Sequence, residues 1–314
     1  MKKLLLLAAA ALTIVACKKD NGGDPTPPPA PGPTPQTQTP TVTADQSSVP
    51  TTVNFKYPKS FTKITTVGGR ITATNTVTYT VENSLLKKVA VNINDSESNH
   101  RENFAYTLAY DSKNYLTSIE GRGEQPQKFS YNSKGQLTTI VKGTLTRTFD
   151  YNAQNKIISS TYKDPHEDKS YTYDYSVANQ IKIVQKDADP NYKDRHYIYV
   201  LDAKGNPVST KVLEVPSSIE SEYTLEYDDK PNYQSKGVFK FFKDEYLNGY
   251  ADEYKFVSSP NNLKKETVVK GYDPNRTYTY TYDADGNVTQ RVCTYEKQVG
   301  ANMKTVVETT IYNY

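Results

Sequence analysis

The chain has 314 residues, with 38 basic against 35 acidic side chains and a formal net charge of +3. A balance this close to neutral, without a basic stripe, argues against a nucleic-acid partner, because neutralising phosphates needs cations concentrated on one face. Tryptophan is absent, the two cysteines are Cys17 and Cys293, and 27 tyrosines supply much of the modest 36% hydrophobic content. Such a chain packs with tyrosine, whose ring buries area while its hydroxyl reaches water or a carbonyl.

The chain opens with Lys2 and Lys3, an apolar run from Leu4 to Leu12, and Ile14-Val15-Ala16-Cys17. That run is shorter than the roughly 20 residues a membrane-spanning helix needs. The Ala-Cys junction resembles the lipobox of bacterial lipoproteins. The resemblance implies a signal peptide at 1–16 and lipidation of Cys17, which would hold the protein at a membrane through its acyl chains. Lys18-Lys19-Asp20 resemble in part the tag that sends Bacteroidota lipoproteins outward, which implies an outer-membrane, lipid-anchored protein exposed at the cell surface. Loss of Lys2 and Lys3 with no acid brings the 38 basic side chains still nearer the 35 acidic ones. With Cys17 committed to lipid, Cys293 has no partner for an internal disulfide.

Residues 17–52 follow as the lipidated cysteine and a Pro/Thr-rich stretch, including Pro-Thr-Pro-Pro-Pro-Ala-Pro-Gly-Pro-Thr-Pro. It has nothing to bury and reads as a disordered, partly polyproline tether, on the order of 50–100 Å long when extended.

From residue 53 to 314 the chain repeats itself. Tyr110-Asp111-Ser112-Lys113-Asn114-Tyr115-Leu116 recurs as Tyr131-Asn132-Ser133-Lys134-Gly135-Gln136-Leu137 and as Tyr151-Asn152-Ala153-Gln154-Asn155-Lys156-Ile157. Leu201-Asp202-Ala203-Lys204-Gly205-Asn206-Pro207 is a weaker copy, and Tyr282-Asp283-Ala284-Asp285-Gly286-Asn287-Val288 closes the series. Degenerate copies surround Tyr79 to Leu85, Tyr175 to Ile181, Tyr227 to Tyr233 and Phe256 to Leu263. The Asp or Asn folds its side chain back on the backbone, and the Gly or Asn three residues later tolerates positive φ, as a short bulged hairpin requires. Flanking segments alternate with period two: Tyr278, Tyr280 and Tyr282 share one face while Thr277, Thr279 and Thr281 share the other. The predicted fold is therefore all-β, an antiparallel meander of repeated β-hairpins with about 14–18 strands, as a closed barrel or an open barrel-like sheet.

The Tyr-Asp-x-x-Gly-x-Leu unit is similar to the tyrosine-aspartate repeats of bacterial toxin shells and teneurins. Combined with Ala16-Cys17 and the tether, it resembles more closely a family of Bacteroidota lipoproteins of unknown function with a porin-like β fold. The resemblance spans about residues 75–314 and implies architecture rather than activity. No Asp-Pro-x-Gly cleavage signature occurs, so an encapsulated toxin is not implied.

Catalytic and metal signatures fail on their chemistry. Asp283-Ala284-Asp285-Gly286-Asn287 starts like a calcium loop but lacks the terminal bidentate Glu, and the same slot elsewhere holds Ser, Ala or Gln, so it reads as a turn. His100, His166 and His196 have no zinc spacing, and His166-Glu167-Asp168 reads as a solvated loop. Cys293 sits in a strand pattern as a small packed side chain rather than a nucleophile. No catalytic residue, metal site or cofactor is assigned. The tyrosine rows are expected to be core first and a stacking platform second. The expected function is a non-enzymatic surface lipoprotein whose β scaffold meets an envelope component, a glycan or a host protein. The alternative is an outer-membrane β-barrel pore, and the third reading is an enzyme acting on polysaccharide.

Overall fold

The computed structural model describes residues 56–216, 218–232 and 259–314. The expected signal peptide at 1–16, Cys17, the tether and the repeat positions Tyr233 and Phe256 lie outside the described residues.

Among the described residues eighteen strands form one sheet. The first six are β1 (Ser60–Val67), β2 (Arg70–Glu82), β3 (Leu85–Asp95), β4 (His100–Tyr110), β5 (Leu116–Gly121) and β6 (Gln127–Tyr131). Six more follow: β7 (Leu137–Lys142), β8 (Leu145–Tyr151), β9 (Ile157–Lys163), β10 (Asp168–Asp174), β11 (Gln180–Asp187) and β12 (Arg195–Leu201). The last are β13 (Pro207–Glu214), β14 (Ser218–Pro231), β15 (Asn261–Lys270), β16 (Arg276–Tyr282), β17 (Val288–Val299) and β18 (Asn302–Asn313). Each strand pairs antiparallel with the next, and β1 pairs both with β2 and with β18. The meander is thus a closed barrel, and the open-sheet alternative is set aside. Closure satisfies the edge groups that an open sheet would leave for aggregation.

Alternation decides which face turns inward. On β10, Tyr171 and Tyr173 are buried while Ser170, Thr172 and Asp174 are exposed. On β6, Phe129 is buried between exposed Lys128 and Ser130. The inward side chains join in one apolar cluster running from Phe61, Val77 and Tyr79 through Leu116, Phe149 and Ile183 to Tyr199 and Tyr312. The outer face is mostly polar, with exposed Ile158, Val200 and Ile311 among its side chains: β2 turns Thr78 and Thr80 outward, and β16 turns out Thr277, Thr279 and Thr281.

The barrel's two ends differ in chemistry. One end, the motif end, carries the Tyr-Asp turns that join even-numbered strands to odd-numbered ones. The other, the far end, carries the connections from β1 to β2, β3 to β4 and so on round to β17 and β18.

Candidate functional site

The motif end is built as a lock. In the four full copies and in the weaker one at Leu201 the Asp or Asn accepts two backbone N–H bonds through one oxygen. Asp111 takes those of Lys113 at 2.9 Å and Tyr115 at 2.8 Å, and Asp283 takes those of Asp285 at 3.0 Å and Asn287 at 2.8 Å. Asn132, Asn152 and Asp202 do the same. Positive φ falls at Asn114, Gly135, Asn155, Gly205 and Gly286, the slot the repeat reserves for Gly or Asn.

Where the strand ends in tyrosine, its hydroxyl then ties the repeat to an earlier strand. Tyr110 donates its hydroxyl to the Leu86 carbonyl at 2.7 Å, Tyr131 to Leu116 at 2.9 Å, and Tyr151 to Leu137 at 2.7 Å. Tyr175 reaches Ile157 at 2.9 Å; in the last copy the strand-ending Tyr282 donates to the Asp228 carboxylate, and Tyr280, two residues earlier, reaches Leu263 at 2.8 Å. Burial pushes the hydroxyl pKa of Tyr110, Tyr131 and Tyr175 well up, which keeps them donors.

This construction accounts for several residues weighed above. Both carboxylate oxygens of Asp283 are used by the turn, the second by Asn287 Nδ2 at 2.9 Å, so the loop is built as a hairpin turn. Among the described residues no group of three or more His, Cys, Asp or Glu side chains is placed to hold a metal. At His166-Glu167-Asp168, Asp164 caps the turn by accepting from the backbone N–H groups of His166 and Glu167, while Glu167 pairs with Lys169 and Asp168 with Lys163. His196 is pushed down by burial and by Lys182. Cys293 is 5% exposed, and burial raises its thiol pKa, so it is a packed side chain facing Tyr278 across the β16–β17 ladder. The tyrosine row divides: Tyr280 and Tyr282 stack at 6.2 Å and pack against the core, whereas Tyr278 lies outside that cluster.

Chemistry-bearing side chains gather instead on the inner face of β1 and β15–β18, above the apolar layers. Cross-strand register sets them in tiers. Tyr280, Arg291, Thr310 and Lys63 form one tier, and Tyr278, Cys293, Glu308 and Thr65 the next. Toward the far end come Tyr295 and Val306, with Arg276 over the Tyr295 ring at 5.5 Å. Lys63 pairs with Glu308 at 2.8 Å, Tyr295 donates to Glu308 at 3.3 Å, and Arg276 pairs with Glu266 at 3.3 Å. These ion-paired side chains are only partly covered: Lys63 and Glu308 are each 23% exposed, Arg276 29% and Glu266 17%. Burial, with the Glu308 carboxylate beside it, lifts the Tyr295 hydroxyl to about 12. A smaller counterpart stands on β4 and the loop after β5, where Arg122 grips Glu102 through two bonds of 2.8 and 2.7 Å and covers the Phe104 ring at 4.7 Å.

Aromatic faces flanked by paired carboxylates and guanidinium groups suit hydroxyl-rich or charged ligands, which offer both ring faces and hydrogen-bonding edges. The sequence reading passed over this wall. Its members lie on strands far apart in the chain, and the available signal is a set of charges at inward parity, such as Glu308 two residues after buried Val306.

No protein-family model matches the chain, and no curated protein matches it. Among solved structures it is similar to a porin-like protein from Bacteroides uniformis, with 16% identity and a TM-score of 0.48, covering 82% of this chain and 98% of that one. A porin-like protein from Bacteroides vulgatus is similar at 18% identity and a TM-score of 0.41, over 68% of this chain and 93% of that one. TcdB2-TccC3 without its hypervariable C-terminal region is similar at 12% identity and a TM-score of 0.29, over 76% of this chain but 16% of that one.

Proposed function

We propose that the protein is a lipid-anchored, non-enzymatic binding scaffold of the outer membrane, held through Cys17 and presenting its barrel to the surroundings. The observation that carries this reading is the direction in which the barrel is turned out. A membrane-spanning barrel needs an aliphatic outer band with aromatic girdles. Here the buried aliphatic and aromatic side chains point inward, and Lys, Ser, Thr and Asp occupy outer positions at mid-strand, interspersed with exposed Ile158, Val200 and Ile311 rather than replaced by a continuous aliphatic band. A barrel of this polarity belongs in water, so membrane attachment falls to the acyl chains. The inner wall of Lys63, Glu266, Arg276, Tyr295 and Glu308 is where the scaffold would meet its ligand.

Detergent-phase partitioning tests the reading. Wild-type protein is expected in the detergent phase and Cys17→Ala in the aqueous phase. If Cys17→Ala stayed in the detergent phase, the barrel itself would be in the bilayer and the pore would replace the scaffold.

A further inference from the structure

Beyond the tiers just described, β17 and β18 continue as a two-stranded arm. The last β16–β17 pair is Thr277 with Thr294, and β1 leaves β18 at Val67 with Val306, yet β17 and β18 stay paired through Val299 and Asn302. Within this arm Lys297 faces Lys304 directly across the ladder, on the face that carries Tyr295. Both are exposed, and among the described residues neither forms an ion pair. Like charges placed directly opposite each other cost stability in a sheet. The two ammonium groups therefore gain nothing from each other across the ladder and are left facing solvent.

Below it, Arg276 contacts Glu266 through one nitrogen at 3.3 Å, although a guanidinium carries five N–H donors. The same face therefore holds Lys63, Arg276, Arg291, Lys297 and Lys304 against Glu266 and Glu308, interleaved with Tyr278, Tyr280 and Tyr295.

We propose that this face and its arm bind an acidic oligosaccharide, a uronate or sulfated sugar chain; the proposal rests on the scaffold reading above. The unpaired lysines and Arg276 meet the carboxylate or sulfate groups. The half-buried tyrosine rings meet the sugar faces, and Glu266 and Glu308 accept sugar hydroxyls. A neutral sugar leaves the lysine pair uncompensated. A nucleic acid would bring a phosphate backbone against those two carboxylates, with no continuous cationic track to hold it.

The test is calorimetric titration of the full chain in detergent with hexagalacturonate and with a heparin-derived hexasaccharide. Maltohexaose, polyglutamate and a single-stranded oligonucleotide serve as comparators. At least one acidic hexasaccharide is expected to bind, more weakly as salt is raised, and more tightly than any comparator. The double variant Lys297→Glu/Lys304→Glu keeps a like-charge pair, so its melting temperature should match wild type while acidic-sugar affinity falls about tenfold or more. The proposal is overturned by binding of neither acidic sugar, by equal binding of any comparator, or by a double variant of unchanged affinity. Because Cys17-dependent partitioning is read separately, failure here leaves the anchored-scaffold reading standing, and failure there does not depend on any sugar.

Discussion

Gly135 and Gly286 occupy the same slot of the turn motif, at φ +77° and +81°, but their surroundings differ. A Cβ on Gly135 would lie 2.2 Å from the Tyr115 hydroxyl, whereas nothing stands within 4 Å of one on Gly286. Gly286→Val therefore isolates the backbone cost of a β-branched residue at positive φ, about 1 kcal/mol or more. Gly135→Val should cost more, because it also displaces Tyr115 from its stack on Tyr131 at 4.9 Å. Urea unfolding of both variants checks the order, and equal losses would show that the Tyr115 contact carries no energy. Asp283 gives a pH test. The Asn287 side-chain amide, followed by backbone N–H groups, holds its carboxyl below the ordinary value of 3.8. A depressed native pKa means that its contribution is complete above the unfolded value and is lost as pH falls through the lower native one. Asp283→Asn should be mild at neutral pH and should flatten the acid limb of a melting-temperature curve taken from about pH 2 to pH 6. An unchanged acid limb would remove Asp283 from the account.

Elements are held by two separable devices, the tyrosine lock and the inward row. Tyr131→Phe keeps the ring and deletes the bond to Leu116, so it should cost about 1 kcal/mol, while the same change at exposed Tyr192 should cost almost nothing. On β10, Tyr173→Ala removes a ring that is 9% exposed and should cost about 3–5 kcal/mol, against less than about 0.5 for Thr172→Ala on the outer face. Tyr280→Ala should fall between these, because that ring is half-buried yet packs on the core and donates to Leu263. A Thr172 effect as large as that of Tyr173 would mean the strand's faces are assigned the wrong way round.

At the scale of the whole molecule, the decisive contact is the seam between β1 and β18, where Ser60 meets Asn313 and Val67 meets Val306. Phe61 is fully buried there, its ring 6.0 Å from Tyr79 and 5.8 Å from Tyr312. Joining the first described strand to the last is the pairing of greatest sequence separation, and it comes at the largest loop-closure cost. Phe61→Ala should cost about 3–5 kcal/mol overall and should lower amide-exchange protection of β1 and β18 ahead of β7 and β8. Uniform loss of protection would show instead that the ring opens as a single cooperative unit.

Local chemistry determined much of this protein from sequence alone. The Asx side chain, the Gly or Asn at positive φ and the Tyr/Thr alternation each act within a few residues, so the turns, the hairpin meander and the inward placement of Tyr280 and Tyr282 were legible at once. Closure was not, because β1 and β18 read like any other strand and nothing local distinguishes a free edge from a paired one. The inner wall was equally hidden. Lys63, Glu266, Arg276, Tyr295 and Glu308 each look like a solvated charge or a core ring within their own strands, and only the register of five strands, fixed by closing the ring, places them on one face.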